Sequence, residues 1–141
     1  MNHLIFVFGT LKQGFPNFAI NKGRRLPGVF LTKDRYPFYL VGERHSPWLV
    51  DRPGEGERVV GQVFEVDEAA LKAMDALERV HEPDGYRRVK IPVAPDRDDA
   101  GASIDVFVYM KQARHFDLTQ AKVGPLREYL PEHAALYRPR Q

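Results

Sequence analysis

Apolar residues fall along this chain in short runs separated by turn residues, with one longer stretch of helical period. Leu4-Ile5-Phe6-Val7-Phe8 is an unbroken apolar run that stops at Gly9-Thr10. Its length and its β-branched and aromatic content predict a strand buried on both faces. Gly14, Pro16 and Asn17 mark a loop after it. Residues 29–31 and 36–40 predict short strands, and Pro37 makes the second an edge or bulged strand. Trp48-Leu49-Val50 is another short apolar piece, followed by a turn at 51–56. Residues 59–66 alternate as a strand, with Gly61 placed for a bulge. Residues 86–93 and 104–110 predict two more strands, joined by a polar, aspartate-rich surface loop over 94–102. A short helix is expected around 124–130, limited by Pro125 and Pro131. Many short strands with one clear helix lack a βαβ rhythm. They predict an α+β fold: a mixed sheet or barrel with helices added outside.

The clear helix covers residues 67–80. Asp67 is a good N-cap, and Glu68 sits near the positive end of the helix dipole. A turn of about 100° per residue puts Ala70, Leu71, Met74 and Leu77 on one arc and Glu68, Lys72, Asp75 and Arg79 on another. Glu78 breaks the pattern, lying about 20° from Leu71 within the apolar arc. Two readings fit. Glu78 is either a border residue at a fraying turn, reaching solvent or an arginine such as Arg87 or Arg88, or a carboxylate aimed into a cleft. In the second case desolvation and the negative end of the helix dipole both raise its pKa toward neutrality, where a general acid/base works best. Periodicity alone does not choose between them.

A second feature is Phe8-Gly9-Thr10-Leu11-Lys12, where a buried strand ends through a glycine. Such turns can present successive backbone N–H groups to an anion, and glycine permits close approach. Taken alone this is a weak signal.

Composition narrows the field. The 141 residues fit a single domain, 1–141, large enough to bury one core without staples. There is no cysteine, so disulfides, thiolate metal sites and a cysteine nucleophile are excluded. No run approaches a membrane span and no secretory signal is visible, so a cytoplasmic location is expected. The net charge of +2 is too small to imply a nucleic-acid partner. Glu78 and His81 form one E-x-x-H pair, but a di-iron bundle needs two such pairs on four helices. The other histidines show no ligand spacing. No phosphate-binding or nucleophile-elbow motif is present. Neither a metal nor a cofactor is therefore expected.

Taken together, these residues resemble the γ-glutamyl cyclotransferase-like superfamily. Phe6 to Gly14 resembles its Y-G-S/T-L strand-loop signature, with Phe8 where the family usually has tyrosine. Met74-Asp75-Ala76-Leu77-Glu78 resembles its L-D-x-x-E helix, whose glutamate is catalytic. Gly85-Tyr86-Arg87-Arg88 and Val106-Phe107-Val108-Tyr109 resemble its later strand motifs. Ser46-Pro47-Trp48-Leu49-Val50 and Tyr137-Arg138-Pro139-Arg140 are similar to the γ-glutamylamine cyclotransferase branch. The resemblance implies a small closed mixed β-barrel with flanking helices. It implies conversion of a γ-glutamylamine such as γ-glutamyl-ε-lysine to 5-oxoproline and free amine. The alternatives are γ-glutamyl dipeptides or other conjugates as substrate, or a non-catalytic module that binds a small carboxylate. It implies Glu78 as the catalytic acid/base, with Phe8, Gly9, Thr10, Leu11, Tyr86 and Tyr109 binding a small-molecule substrate.

Overall fold

A computed structural model describes residues 2–97 and 102–140. Among the described residues, nine strands and two α-helices occur in the order β1 (His3–Val7), β2 (Arg24–Arg25), β3 (Phe30–Thr32), β4 (Phe38–Val41), β5 (Ser46–Asp51), β6 (Val60–Val66), α1 (Glu68–Leu77), β7 (Arg87–Pro95), β8 (Ile104–Gln112), β9 (Ala121–Val123) and α2 (Pro131–Ala134). Strands β1, β6, β3, β7 and β8 pair in sequence, and a further β8–β1 pairing closes them into a five-stranded barrel. The closing pair is parallel, with Ile5 opposite Phe107, while the other four are antiparallel. The expected closed mixed barrel is therefore observed.

Strand β8 organises the region of interest. One edge is taken along its length by β7, from Arg87–Met110 to Val93–Ile104. Its other edge is shared. β1 pairs near Phe107, and β5 pairs parallel further along, at Val50–Lys111 and Asp51–Gln112. Strand β5 then carries β4 and β9 away from the barrel.

The two-sided burial expected for the first strand follows from this arrangement. Phe6 and Phe8 point into the barrel core with Phe38, Val63, Val93, Val106 and Val108. Ile5 and Val7 face the other way, beneath α1, with Phe64, Leu71, Met74 and Tyr109. Alternation along β8 likewise puts Val106, Val108 and Met110 in the barrel and Tyr109 on the α1 side. Helix α1 buries the Ala70, Leu71 and Met74 arc as its periodicity predicts, and the Asp67 carboxylate caps it by accepting from the Ala70 N–H at 2.8 Å.

Four local expectations need correction. Residues 124–130 are not helical. Pro125 has no N–H to give a helix, and the neighbouring groups bond across the barrel instead: the Leu126 N–H to Phe38 (2.7 Å) and the Val60 N–H to Arg127 (2.8 Å). The short helix comes later, at α2. Gly61 is not a bulge. It is where β6 changes partner from β1 to β3, and a β-carbon there would lie 2.6 Å from the Phe6 ring. The loop expected over 94–102 begins later, because β7 continues through Pro95; residues 98–101 lie outside the described residues. Pro37 precedes β4, which is no edge, since β5 and β9 flank it; its irregularity falls between Leu40 and Val41.

Candidate active site

A cavity of about 1060 Å³ opens where β1 and β5 leave their shared edge of β8. The chain after β1, the start of β5, the end of α1 and the far part of β8 all contribute to its wall. Every site residue singled out from the sequence lines it: Phe8, Gly9, Thr10, Leu11, Glu78, Tyr86 and Tyr109.

Glu78 sits at the C-terminal cap of α1, where its N–H still bonds the Met74 carbonyl at 2.9 Å. Arg79 then turns left-handed, with φ of 55°, and ends the helix. A compact loop returns the chain. The Glu82 N–H bonds the Arg79 carbonyl (3.0 Å), Arg79 pairs with Asp84 (3.2 Å), and the Tyr86 N–H bonds the Glu78 carbonyl (3.0 Å). The backbone of Glu78 is thus held on both sides, while its carboxylate accepts no hydrogen bond from protein among the described residues. The side chain lines the cavity and is partly buried. Burial pushes its pKa up to about 7, against the opposing pull of Lys111, Arg140 and Arg44.

The loop after β1 forms another part of the wall. Its carbonyls are occupied: Gly9 accepts from the Lys12 N–H (3.1 Å), Thr10 from the Asn17 N–H (2.8 Å) and Leu11 from the Asn21 side chain (3.1 Å). The N–H groups of Gly9, Thr10 and Leu11 serve no backbone carbonyl among the described residues. All three residues are buried at the cavity. Unused, sheltered N–H donors are costly unless something binds them. A β-carbon on Gly9 would be a tight fit here, 3.0 Å from the Pro47 ring.

The two tyrosines are committed to the protein. The Tyr86 hydroxyl donates to the Pro47 carbonyl at 2.7 Å. The Tyr109 hydroxyl donates to Asp75 at 2.7 Å, and Asp75 also takes Arg88 at 2.8 Å. Each phenol has one proton, so each can offer a ligand only an acceptor lone pair or a ring face. Burial raises the pKa of both hydroxyls, and neither ionises near neutral pH.

Three cations here were not among the residues expected from sequence. Lys111 donates to the Asp84 carbonyl (2.6 Å) and lies over the rings of Tyr86 (4.4 Å) and Trp48 (4.5 Å). Burial pushes its pKa down to about 8, despite the carboxylates of Asp84 and Glu78. A signal was available, since Lys111 is two residues from Tyr109 on one strand and so shares its face. Arg44 and Arg140 also line the cavity, brought together from distant parts of the chain with no local pattern to announce them. Among the described residues no group of three potential metal ligands forms, and His81 does not line this cavity.

Residues 5–130 match the family model described as Gamma-glutamyl cyclotransferase, AIG2-like. The chain belongs to this family. Among relatives of this AIG2-like chain, the mouse protein named Gamma-glutamylaminecyclotransferase is 33% identical over 138 residues, covering 92% of this chain and 85% of that one. The human protein of the same name is 32% identical over 159 residues, covering 98% and 97%. The crystal structure of a mouse AIG2-like protein superposes with a TM-score of 0.82 at 31% identity, over 99% of this chain and 97% of that one.

Proposed function

We propose that this chain is a γ-glutamylamine cyclotransferase. Its α-amine-bearing substrate closes on its own γ-carbonyl, and 5-oxoproline and a free amine leave. The observation that carries this reading is the uncommitted Glu78 carboxyl at the cavity wall, alongside the unused N–H groups of Gly9, Thr10 and Leu11. The names of the mouse and human relatives support the same activity.

The reaction suits these groups. Attack is intramolecular, so no protein nucleophile is required, and a folded bound substrate supplies a large effective molarity. The C–N bond of the lactam forms as the γ-amide C–N bond breaks. The α-nitrogen gives up two protons and the leaving nitrogen gains two, so a carboxylate that accepts protons and returns them is sufficient. With its pKa near 7, Glu78 is suited to both directions at neutral pH. The loop N–H groups hold either the α-carboxylate or the oxyanion that develops on the γ-carbonyl. Tyr86, Tyr109 and Phe8 shape the pocket. A role resting on backbone N–H groups does not need the hydroxyl that Phe8 lacks. Among the described residues no helix is long and apolar enough to cross a membrane. A cytoplasmic location belongs to the same proposal and rests on the sequence.

Incubation with γ-glutamyl-ε-lysine, a γ-glutamyl dipeptide and glutathione tests the reading through 5-oxoproline release. Preferred turnover of the ε-lysine compound is expected. Release from none of the three would end the assignment, and preference for the dipeptide would move it to a different leaving group.

A further inference from the structure

Two guanidinium groups at the cavity, Arg44 and Arg140, form no hydrogen bond or ion pair with Glu78 among the described residues. Arg44 Nε donates to the Arg138 carbonyl at 3.0 Å, and the Arg138 N–H returns a bond to the Arg44 carbonyl at 2.9 Å. Arg44 Nη2 also reaches the Tyr137 hydroxyl (3.5 Å), and its guanidinium lies 5.8 Å from that ring. These contacts clasp the segment 137–140 onto the turn between β4 and β5 and bring Arg140 into the cavity lining. The clasp is tied to the β1 loop as well. Asn17 Nδ2 donates to both the Tyr137 hydroxyl (3.3 Å) and Thr10 Oγ1 (2.9 Å).

Neither Arg44 nor Arg140 has a carboxylate partner among the described residues. Arg79 differs, since Asp84 neutralises it. An unpaired guanidinium at a cavity is a receptor for a carboxylate, which its planar fork matches in geometry. The cavity is also larger than a γ-glutamyl group needs, because about 300–1,000 Å³ holds a whole drug-sized ligand. The remaining space belongs to the leaving amine.

We propose that Arg44 and Arg140 form a carboxylate-reading subsite for the leaving amine. The enzyme then favours γ-glutamylamines whose amine carries a carboxylate, as ε-linked lysine does, over amines that lack one. This inference rests on the cyclotransferase reading above.

The test compares γ-glutamyl-ε-lysine with mono-γ-glutamyl-1,5-diaminopentane, the same molecule without the lysine carboxylate. The wild type should favour the first by about tenfold or more in kcat/KM, the scale of one charge-assisted contact. Arg140→Ala and Arg44→Gln should shrink that ratio toward one, chiefly through KM. Arg140→Glu should invert it, because the diamine presents only an ammonium group. Arg140 is exposed, so its variants are expected to fold. An unselective wild type would overturn the subsite. So would an equal loss on both substrates in Arg140→Ala, which would assign the arginine to the γ-glutamyl end. Turnover of neither substrate by the wild type would overturn the cyclotransferase reading itself, and the subsite with it.

Discussion

The peptide N–H of Tyr86 donates to the carbonyl of Glu78 at 3.0 Å, so the residue just before β7 holds the helix end that carries the carboxylate. The loop between them closes tightly at Gly85, where a β-carbon would collide with the Arg79 carbonyl. Gly85→Ala should therefore displace the turn. We expect a loss of about 2 kcal/mol in stability, in the range of overpacking and backbone strain. A lowered kcat should accompany it, because Glu78 moves with the turn. Thermal unfolding and turnover of the purified variant check both.

Glu78 should cost stability when it ionises. Its folded-state pKa of about 7 lies above the ordinary 4.5, so the fold favours the protonated form. The wild type should lose stability relative to Glu78→Gln as pH rises from about 4.5 to about 7, and the difference should then level off. Its full size is on the order of 3 kcal/mol. Denaturant unfolding of both proteins at pH 4.5, 6 and 8 measures it. A gap that stayed constant with pH would contradict the burial of this carboxyl.

The same titration should appear in the rate. With Glu78 acting as base, kcat/KM should fall tenfold per pH unit below about 7. The positive charge of Lys111 holds this pKa down, so Lys111→Met should move the acid limb to higher pH. A pH–rate profile of each protein reads the shift directly.

Tyr109→Phe should act mainly on stability. Its hydroxyl is given to Asp75, which keeps Arg88 as a partner when the phenol is removed. A loss of about 1 kcal/mol is expected from one hydrogen bond. Turnover should fall far less than in a Glu78 variant. An equal collapse of turnover would make the Tyr109 hydroxyl part of the chemistry.

Local pattern carried much of this fold. The first strand announces its two-sided burial through an unbroken apolar run, and α1 announces its docked face through Ala70, Leu71 and Met74. Glu78 is visible as the charge that breaks that face, yet periodicity does not say whether a cleft lies beside it. That depends on β1 and β5 sharing one edge of β8, a long-range pairing with no local signature. The helix expected over 124–130 fails for the same reason. Leu126 and Arg127 bond to β4 and β6 rather than within the segment, so helical propensity has no say. Arg44 and Arg140 meet the cavity only through the clasp between residues 44 and 138.

The most direct measurement is 5-oxoproline release from γ-glutamyl-ε-lysine by the wild type and by Glu78→Gln, with the fold of each verified by circular dichroism. The wild type should turn over, and the folded variant should lose at least about a hundredfold in kcat, the scale of a positioned acid/base. Near-wild-type turnover by Glu78→Gln would contradict the account.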